Sequence, residues 1–559
     1  MEKNEYQCLL LSDFTIDNLG GYLSTDKEYP KIKSIVAPFN QVSQILIDEN
    51  SRYWKNYQDF LLIWTQPASV VKSFKEMIDF EIVSLKKILT EVDEYSSLLV
   101  KASKRVKSIF VPTWVIPSYN RGFGMLDMKK SIGLSNTLMQ MNLRLAENVD
   151  KVSNIFLFNT ERWISLAKYP FIPKLIHTAK IAFGKEVFKE ACNDIKAAIR
   201  GLIGESKKII IVDLDNTLWG GIVGDIGWEN LILGGHNFIG EAFQDFQRKL
   251  KSMTNRGILL GIVSKNEETI ALEAIKKHPE MVLKMEDFAG WKINWNDKAQ
   301  NILELVSELN LGLQSVVFID NSQFERERVK EALPEVFVPD WPNDVTLYVS
   351  TFLSLSCFDT ATLSKEDLDR VKMYSAERNR KNLKKNVTSL KEWLESLNIT
   401  VQVCELNESI FQRTIQLINK TNQMNLTTRR ITENELLDWV KKESHRLWTF
   451  RVSDKFGDSG LTGILSIKRE GDSVRIVDFI LSCRVMGREI EHAMLFTVIQ
   501  YTQKICLRSI YAKYIPTAKN KPCLDFLKNS GLKYDNKNTF FWHTKDDYIL
   551  PSHIELKFV

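Results

Sequence analysis

The fold of the middle of this chain is decided by the stretch KIIIVDLDNTLWGG, which spans residues 208–221. An apolar run followed by two acids one residue apart is typical of a buried parallel strand that presents Asp213 and Asp215 at its carboxyl end. Open α/β sheets place their chemistry at that end. There, one carboxylate can attack phosphorus, and the second can move the proton of a leaving group or of water. The alternative is an Asp-rich turn without chemistry, because Asp and Asn are common in turns.

Polar residues at three later points favour the chemical interpretation. Ser264 follows a second apolar run, Lys298 stands just before a helical pattern, and Asp320 follows a third apolar run. Strand ends and helix ends at one edge of a sheet can aim such side chains at a single phosphate group. We therefore predict that Ser264 and Lys298, together with Thr217, bind the phosphate oxygens of the substrate.

The two acids of the first motif also predict a metal ion. Asp213 and Asp215 are close enough in sequence to repel each other, so a hard cation is expected beside them. Mg2+ is such a cation, and it prefers oxygen ligands. We predict Mg2+ as the cofactor, with Asp213, Asp215 and Asp320 as its ligands.

Motif for motif, residues 205–345 resemble the haloacid dehalogenase superfamily. The resemblance implies that Asp213 is the nucleophile and that Asp215 is the general acid and base. The extension LWGGIVGD, residues 218–225, is similar to the FkbH-like family, which is associated with loading glyceryl units onto acyl carrier proteins. One position departs from the superfamily pattern. Asn321 stands where a second acid is usual, so this position contributes no charge to metal binding.

The spacing of the motifs predicts a capless domain with a Rossmann-like parallel sheet. About 45 residues separate Thr217 from Ser264 and about 35 separate Ser264 from Lys298, which is enough for the helices of the sheet but not for a lid domain. The site is therefore expected to be open. An open site suits a large substrate or one that is presented on a carrier arm.

The pattern of residues 1–180 predicts alternating strands and helices, and hence a second parallel sheet with a flavodoxin-like layout. Its first strand ends at Ser12-Asp13-Phe14-Thr15, where SGNH-type esterases carry Gly-Asp-Ser. This part resembles the N-terminal domain of the FkbH-like family. Because Phe14 occupies the nucleophile position, we expect an SGNH-like platform without catalytic activity. Its role would be carrier docking or support of the central domain.

Residues 400–545 show strands joined by short turns, which is typical of a mixed α+β domain. The last of these strands leads into a loop and then into a helical pattern. Backbone N–H groups at such a helix start can bind phosphate. The loop resembles the acyl-CoA loop of GNAT acyltransferases, and the resemblance implies that Arg484, Gly487 and Arg488 bind the substrate there.

The same loop contains a candidate nucleophile, Cys483. It lies beside Arg484 and close to a helix start, and both influences favour the nucleophilic thiolate. The alternative is a free cysteine that serves only as a small core residue. Glu489 stands where the GNAT loop usually has a small residue, and its charge favours a phosphopantetheine arm over whole coenzyme A.

The bulk properties exclude several classes of protein. A length of 559 residues predicts three domains, and a net charge of +5 from 75 basic and 70 acidic residues does not indicate nucleic-acid binding. Seven cysteines without paired spacing argue against a zinc site or a disulfide framework. No apolar run approaches the ~18–20 residues of a membrane span, so we expect a cytoplasmic protein without a membrane partner. The charge-rich segment from Lys365 to Glu395 predicts a solvated pair of linker helices.

These features together predict an enzyme. It would transfer a glyceryl or related acyl group from an acyl phosphate to the phosphopantetheine thiol of an acyl carrier protein, with Mg2+-dependent removal of phosphate. The resemblance implies 1,3-bisphosphoglycerate as the acyl phosphate, and Cys483 is a candidate relay for the acyl group. One alternative is a phosphatase fused to an N-acyltransferase that acts on a sugar phosphate in polysaccharide biosynthesis. Another is an inactive scaffold, which only Asn321 supports.

Overall fold

The computed structural model describes residues 5–55, 58–130, 132–363, 368, 370, 373–374, 380, 389–535 and 537–559. The chain divides into two units, Met1–Ile199 and Arg200–Val559. Most of the predicted linker helices between Lys365 and Glu395 lies outside the described residues. Among the described helices, none is long and apolar enough to cross a membrane.

The first unit contains a five-stranded parallel sheet. Its strands are β1 (Tyr6–Ser12), β2 (Ile32–Val36), β3 (Phe60–Trp64), β4 (Ser108–Pro112) and β5 (Ile155–Phe158). They are arranged in the order β2-β1-β3-β4-β5, and all neighbours pair in parallel. The central strand β3 is buried along its whole length, as expected where helices cover both faces of a sheet. This strand order is flavodoxin-like and confirms the predicted layout.

The helices of the first unit lie between these strands and after the last of them. They are α1 (Asp17–Thr25), α2 (Val42–Ile47), α3 (Arg52–Lys55), α4 (Pro67–Val70), α5 (Lys72–Ile78), α6 (Leu85–Ser103), α7 (Leu134–Val149), α8 (Thr160–Leu166), α9 (Pro173–Ala179) and α10 (Lys185–Leu202). α6 begins after Ser84, whose hydroxyl accepts a hydrogen bond from the N–H of Lys87. It buries Val92 and Leu99 on one face, two turns apart.

The end of β1 is closed by aromatic packing. Phe14 is buried and lies edge-on against Trp64 and Phe183. Ser12 is also buried, and its hydroxyl accepts a hydrogen bond from the N–H of Phe14. The position that would carry the nucleophile of an SGNH-type esterase is therefore a core aromatic residue in this chain.

The second unit begins with a four-stranded parallel sheet. Its strands are β6 (Ile209–Val212), β7 (Leu259–Ser264), β8 (Phe288–Ile293) and β9 (Val316–Ile319), in the order β8-β7-β6-β9. The helices around it are α11 (Val223–Ile226), α12 (Phe238–Asn255), α13 (Glu268–Lys277), α14 (Lys298–Glu308), α15 (Gln323–Ala332) and α16 (Tyr348–Leu353). The continuously described stretch from β6 to β8 contains no inserted domain, which confirms the predicted capless architecture.

The rest of this unit is a mixed sheet with helices. Its strands are β10 (Ile399–Glu405), β11 (Met424–Asn425), β12 (His445–Asp454), β13 (Gly457–Glu470), β14 (Ser473–Leu481), β15 (Ser509–Lys513), β16 (Lys533–Tyr534), β17 (Thr539–His543) and β18 (Ile554–Phe558). Its helices are α17 (Leu390–Ser396), α18 (Glu408–Lys420), α19 (Glu433–Val440), α20 (Ile490–Lys504) and α21 (Lys521–Asn529).

The strands of this mixed sheet follow the order β16-β17-β15-β14-β13-β12-β10-β18, and β11 pairs with β14. The pairs β14–β15 and β10–β18 are parallel, and the other pairs are antiparallel. This arrangement is the mixed α+β fold predicted for the C-terminal part. The sheet takes in β18, which lies beyond residue 545, the predicted end of the domain.

A buried ion-pair network joins β12 to the loop before α20. The side chain of Asp454 is fully buried and accepts hydrogen bonds from Arg380 at 2.7 and 2.8 Å and from Arg488 at 3.1 Å. Two guanidinium groups therefore share this buried carboxylate. Removing one partner of a buried pair is costly, because the other charge stays buried without compensation.

We expect Asp454→Asn to lower the free energy of unfolding of the second unit by about 3–5 kcal/mol. Urea denaturation followed by circular dichroism measures this loss. Asp458→Asn is the matched control, since Asp458 pairs with Arg451 at the surface with both side chains substantially exposed. The control is expected to change stability by no more than about 1 kcal/mol. Equal losses for the two variants would contradict a stabilising role of the buried network.

Candidate active site

Three of the predicted site residues meet at the carboxyl edge of the parallel sheet. Asp213 directly follows β6 and Asp320 directly follows β9, and the N–H of Asp213 donates to the carbonyl of Ile319 at 3.0 Å. Lys298 is the first residue of α14, which is capped by the side chain of Asp297. Its Nζ lies 2.6 Å from Asp320 Oδ2 and 2.9 Å from Asp213 Oδ1. The ammonium group thus bridges the two carboxylates.

Burial makes this bridge electrostatically important. The exposed fractions are 0 % for Asp320, 4 % for Lys298 and 6 % for Asp213. Burial and the neighbouring Asp213 raise the pKa of Asp320 to about 6, and Lys298 opposes this rise. Burial by itself lowers the pKa of Lys298, but the two carboxylates outweigh it and the net shift is upward. The lysine therefore stays protonated and places a positive charge between the two carboxylates.

Asp215 is held by hydrogen bonds to both of its carboxylate oxygens. Oδ1 accepts from Trp219 Nε1 at 2.9 Å and from the N–H of Val223 at 3.1 Å, and Oδ2 accepts from Asn266 Nδ2 at 2.9 Å. Burial nevertheless raises the pKa of Asp215, and the charge of Asp213 adds to the rise. A raised pKa suits a carboxylate that gives and takes a proton, as predicted for this residue.

Ser264 and Thr217 have different surroundings, although both were predicted to bind phosphate. Ser264 is the last residue of β7, and its Oγ accepts from Asn266 Nδ2 at 3.1 Å, so its hydroxyl hydrogen can still be donated to a phosphate oxygen. Thr217 is fully buried. Its Oγ1 donates to Asn321 Oδ1 at 3.3 Å and accepts from the N–H of Asn321 at 3.1 Å. Thr217 therefore joins the first and fourth motifs, and the predicted contact with substrate is replaced by this structural role.

The acids at this edge offer oxygen ligands to a divalent cation. Asp213 Oδ1 is buried in ionic contact with Lys298 but accepts no aligned hydrogen bond. Mg2+ commonly binds one or two carboxylates, with water and substrate phosphate as its other ligands. Asp213 and Asp320 can supply such a set, in exchange for the hydrogen bonds that Asp320 accepts from Ser322 and Lys298. Both oxygens of Asp215 also accept hydrogen bonds, and its role as a third ligand stays a prediction. In the described part of the chain, no three Asp, Glu, His or Cys side chains form a metal-binding group.

Two residues of the site were missed by the sequence analysis. Asn266 binds both Asp215 and Ser264, and it follows Ser264 by the same two-residue spacing that separates the acids of the first motif. This spacing could have identified Asn266 as a candidate site residue from the sequence. Arg326 donates from Nη1 to the carbonyls of Asp320 and Asn321, each at 2.8 Å, and thereby fixes the turn after β9. No local pattern marks an arginine in the middle of a helix for that role.

The glycine-rich extension of the first motif shapes the loop around Asp215. Gly220 exchanges two backbone hydrogen bonds with Ile232, at 3.0 and 2.9 Å. Gly221 has a φ of +101°, and a Cβ atom there would lie 2.5 Å from the side chain of Ile226. A side chain at this position would therefore be both strained and crowded.

The C-terminal loop does not present all its predicted residues to a ligand. Cys483 begins a short 3-10 turn after β14, is partly exposed, and lies near the buried Tyr374. Gly487 has a φ of +78°, which allows the sharp turn before α20. Arg488 is only 2 % exposed and binds Asp454 and the carbonyl of Arg484. Its predicted role in phosphate binding is therefore replaced by a role in the core.

The structure does not bring Cys483 to the acids of the parallel sheet. Cys483 and Arg484 line a cleft together with Lys208, which precedes β6. Asp213 follows the other end of that strand. At the rise of an extended chain, the five residues from Lys208 to Asp213 span about 16 Å. The cleft and the acids predicted to be catalytic therefore lie at opposite ends of the strands of one sheet.

Comparisons with known proteins agree with the parallel-sheet domain. No family model and no curated protein matches the sequence. The chain is similar to the solved N-terminal part of a protein from Bacteroides fragilis, which contains a phosphatase domain complexed with Mg. The identity is 28 %, the TM-score is 0.58, and the match covers 64 % of this chain and 95 % of that chain. This similarity supports a phosphatase-type domain, whereas the FkbH-like assignment stays a prediction.

Two acetyltransferases match a smaller part of the chain. A GNAT-family acetyltransferase from Staphylococcus aureus is 13 % identical, with a TM-score of 0.21 and coverage of 26 % of this chain and 99 % of that chain. A spermidine N-acetyltransferase from Vibrio cholerae, in complex with CoA and spermine, is 14 % identical, with a TM-score of 0.22 and coverage of 26 % and 96 %. These scores are too low to support a conclusion about activity.

Replacing Lys298 by Met would leave Asp213 and Asp320 buried side by side without a cation. We expect Lys298→Met to lower the free energy of unfolding at about pH 8 by about 3–5 kcal/mol. Without the lysine, which opposes the rise, the folded-state pKa of Asp320 would lie further above its unfolded value. Since the folded state would bind more protons, the loss should shrink as the pH falls to about 5.

Denaturant unfolding of variant and wild type at both pH values measures this change. Lys292→Met is the matched control, because Lys292 pairs with Glu304 and Glu308 near the surface. Its effect should stay within about 1 kcal/mol at either pH. A loss in Lys298→Met that does not depend on pH would contradict the bridging role of the lysine.

Proposed function

We propose that the edge formed by Asp213, Asp215, Lys298 and Asp320 is a Mg2+-dependent phosphoryl-transfer site. The observation that carries this proposal is the protonated Lys298 between two buried carboxylates, with a third carboxylate of raised pKa two residues after the first. The similar phosphatase domain from Bacteroides fragilis was complexed with Mg, and the oxygen donors of Asp213 and Asp320 suit the same ion. When bound, Mg2+ would act as a Lewis acid towards the phosphate oxygens.

Each residue has a defined task in this reaction. The carboxylate of Asp213 attacks phosphorus, the bond from phosphorus to the leaving oxygen breaks, and an aspartyl phosphate forms. Asp215 gives its proton to the leaving oxygen and later takes a proton from the water that hydrolyses the aspartyl phosphate. Lys298 and Ser264 donate hydrogen bonds to the oxygens of the transferred group, which gain charge in the transition state.

We further propose that the substrate is an acyl phosphate, such as 1,3-bisphosphoglycerate, and that an acyl carrier protein receives the acyl group. The thiolate of its phosphopantetheine arm would attack the acyl carbon, the bond from this carbon to the phosphate oxygen would break, and inorganic phosphate would leave. Asp213 would attack the phosphomonoester at the other end of 1,3-bisphosphoglycerate, because attack on the acyl phosphate would leave a carboxylate, which cannot acylate a thiol. An acyl phosphate is already activated, so the protein has mainly to position the two reactants. The capless architecture supports this proposal, because an open edge admits a substrate presented on an arm.

The distance between the two ends of β6 argues against a direct relay of the acyl group through Cys483. A substrate held at Asp213 is separated from the edge at Lys208 by about 16 Å, whereas bond formation needs approach to about 3–3.5 Å. We therefore propose that the carrier thiol takes the acyl group directly at the Asp213 edge. Cys483 then has no part in the removal of phosphate.

The same separation favours one second candidate function. In a phosphatase fused to an N-acyltransferase, the two activities need no shared intermediate, and sites at opposite edges of β6 would not interfere. This candidate predicts the release of phosphate from small phosphomonoesters and the use of acetyl-CoA, without any requirement for a carrier protein. The two functions differ in whether a carrier becomes acylated.

The phosphoryl-transfer proposal is tested by substitution of its acids. We expect Asp213→Asn to abolish Mg2+-dependent release of phosphate from a phosphomonoester, because the nucleophile is lost. Asp215→Asn should lower the rate by about 10²–10⁴-fold, the usual contribution of a general acid or base. A colorimetric phosphate assay with and without EDTA measures both effects. Asp245→Asn, an exposed carboxylate on α12, is the control that should keep full activity.

A rate in Asp213→Asn equal to that of the wild type would exclude Asp213 as the nucleophile. Activity that survives complete removal of divalent cations would exclude the role of Mg2+. Both variants should be checked by circular dichroism, so that a loss of activity is not confused with a loss of folding.

The acyl-transfer proposal is tested by intact mass spectrometry of a phosphopantetheinylated carrier protein. In the presence of Mg2+ and of 1,3-bisphosphoglycerate generated in situ, a glyceryl adduct is expected on the carrier. The adduct should form at an unchanged rate with Cys483→Ala, because the thiol lies at the other edge of the sheet. Release of phosphate without any carrier adduct would support the phosphatase fusion instead. Loss of the adduct in Cys483→Ala, with phosphate release intact, would instead support a relay of the acyl group through Cys483.

A further inference from the structure

The parallel strands β14 and β15 of the mixed sheet pair along only part of their length. Their register runs from Ser473 to Ile476 on β14, so the pairing with β15 ends before residues 477–481 of that strand. The opposite edge of β14 pairs with β13 along the whole strand. The separation of β14 from β15 therefore leaves a gap beside the end of β14 that leads to α20.

The chain fills this gap with its own backbone. β11 runs antiparallel to the end of β14 and pairs with it there. The N–H of Leu426 donates to the carbonyl of Phe479 in β14 at 3.1 Å. The carbonyl of Leu426 accepts from the N–H of Ile515, just after β15, at 3.0 Å. Residues 424–426 are therefore hydrogen-bonded both to β14 and to the chain that continues β15.

The segment in the gap belongs to the core of the domain. Met424, Asn425 and Leu426 are at most 3 % exposed, and the two apolar side chains pack in the main hydrophobic cluster of the mixed sheet. Asn520, which precedes α21, is fully buried. Its amide donates to the carbonyl of Asn425 at 2.9 Å, and its oxygen accepts from the hydroxyl of Tyr514 at 2.6 Å. Asn520 thus holds the segment in place.

The gap lies beside the loop that was predicted to bind an acyl-CoA or a phosphopantetheine arm. An extended arm that contains amides can bind a sheet by hydrogen bonds to a free strand edge. At the end of β14, residues 424–426 already use that edge. We infer that the mixed sheet accepts neither coenzyme A nor a phosphopantetheine arm between β14 and β15, because the protein's own segment fills this position.

The start of α20 is equally unsuited to the phosphates of the coenzyme. Glu489 occupies the N-cap position of this helix, and Glu491 lies in its first turn. A carboxylate at a helix N-terminus interacts with the positive end of the helix dipole and repels phosphate. Arg488, the preceding residue, donates to Asp454 at 3.1 Å and to the carbonyl of Arg484 at 2.8 Å. The phosphates and the arm of coenzyme A therefore both meet positions that the protein's own groups occupy.

This inference concerns the mixed sheet and does not rest on the proposed phosphoryl-transfer site. It goes beyond the proposed function because it states in which form the acyl group is not supplied, namely as a thioester of coenzyme A. The second candidate function requires acetyl-CoA and would lose the site for this substrate. A carrier thiol would then meet its acyl donor outside the mixed sheet, as proposed for the Asp213 edge.

Hydrogen–deuterium exchange of the full chain, measured by mass spectrometry with EDTA present, tests the inference. We expect peptides that contain residues 424–426 and 479–490 to exchange at the same rate with and without a large molar excess of coenzyme A. Asn520→Ala should raise the exchange rate of residues 424–426 about tenfold, the effect of losing one buried hydrogen bond. Asn529→Ala is the matched control, because this asparagine is exposed at the end of α21 and should leave the exchange unchanged.

Faster exchange of residues 424–426 on addition of coenzyme A would overturn the inference, because the arm would then displace the segment. New protection of residues 479–490 by coenzyme A would overturn it as well. Equal exchange in Asn520→Ala and in the wild type would refute the role of Asn520. The comparison with and without coenzyme A uses the wild type, so it stands even if Asn520→Ala does not fold. The phosphate-release assay is a separate measurement, and a protein that releases no phosphate would refute only the proposed function.

Discussion

The ammonium group of Lys298, held between the carboxylates of Asp213 and Asp320, is the interaction on which the rest of the site depends. Three buried charges can remain at the carboxyl edge of a sheet only because they compensate one another. The bridge also requires three elements to be correctly placed relative to one another. Asp213 follows β6, Asp320 follows β9, and Lys298 begins α14. The backbone hydrogen bond from Asp213 to Ile319 fixes the two strands relative to each other.

The same electrostatic constraint separates the roles of two acids that are almost adjacent in sequence. The carboxylate of Asp213 lies 2.9 Å from the ammonium group of Lys298. Asp215 has no such charge within its hydrogen-bonding shell, and burial raises its pKa despite three donors. Two carboxylates in different environments can thus act as nucleophile and as proton donor in a single reaction. Asn266 connects this second acid to Ser264 and so ties the proton-transfer group to the phosphate-binding group.

The central strand β6 also separates two regions of the second unit. Its carboxyl end leads to Asp213 and the acidic edge, whereas Lys208 at its other end lines the cleft that contains Cys483. A strand of four residues is short, but its extended backbone still keeps the two regions about 16 Å apart. This distance is the reason why a transfer of an acyl group from one region to the other would need a mobile arm and not a single side chain.

Much of the architecture could be predicted from the sequence by itself. The apolar runs before Asp213, Ser264 and Asp320 form strands, and the strand order of the first unit is the flavodoxin-like one. These features follow from local patterns, because a buried strand needs apolar residues and a change of element needs a turn. The short spacing between motifs likewise determined that the parallel sheet has no cap.

Only the tertiary structure decided what each polar side chain binds. Thr217 and Arg488 were predicted to contact substrate, yet one binds Asn321 and the other binds Asp454 in the core. Cys483 was predicted to act with Asp213, yet it lies on the wall of a cleft at the opposite edge of the sheet. The partners Asn321 and Asp454 are separated from Thr217 and Arg488 by 104 and 34 positions in the sequence. A local pattern can place a residue on an element, but its partner depends on how distant elements pack, because hydrogen bonds and ion pairs act over only a few ångströms.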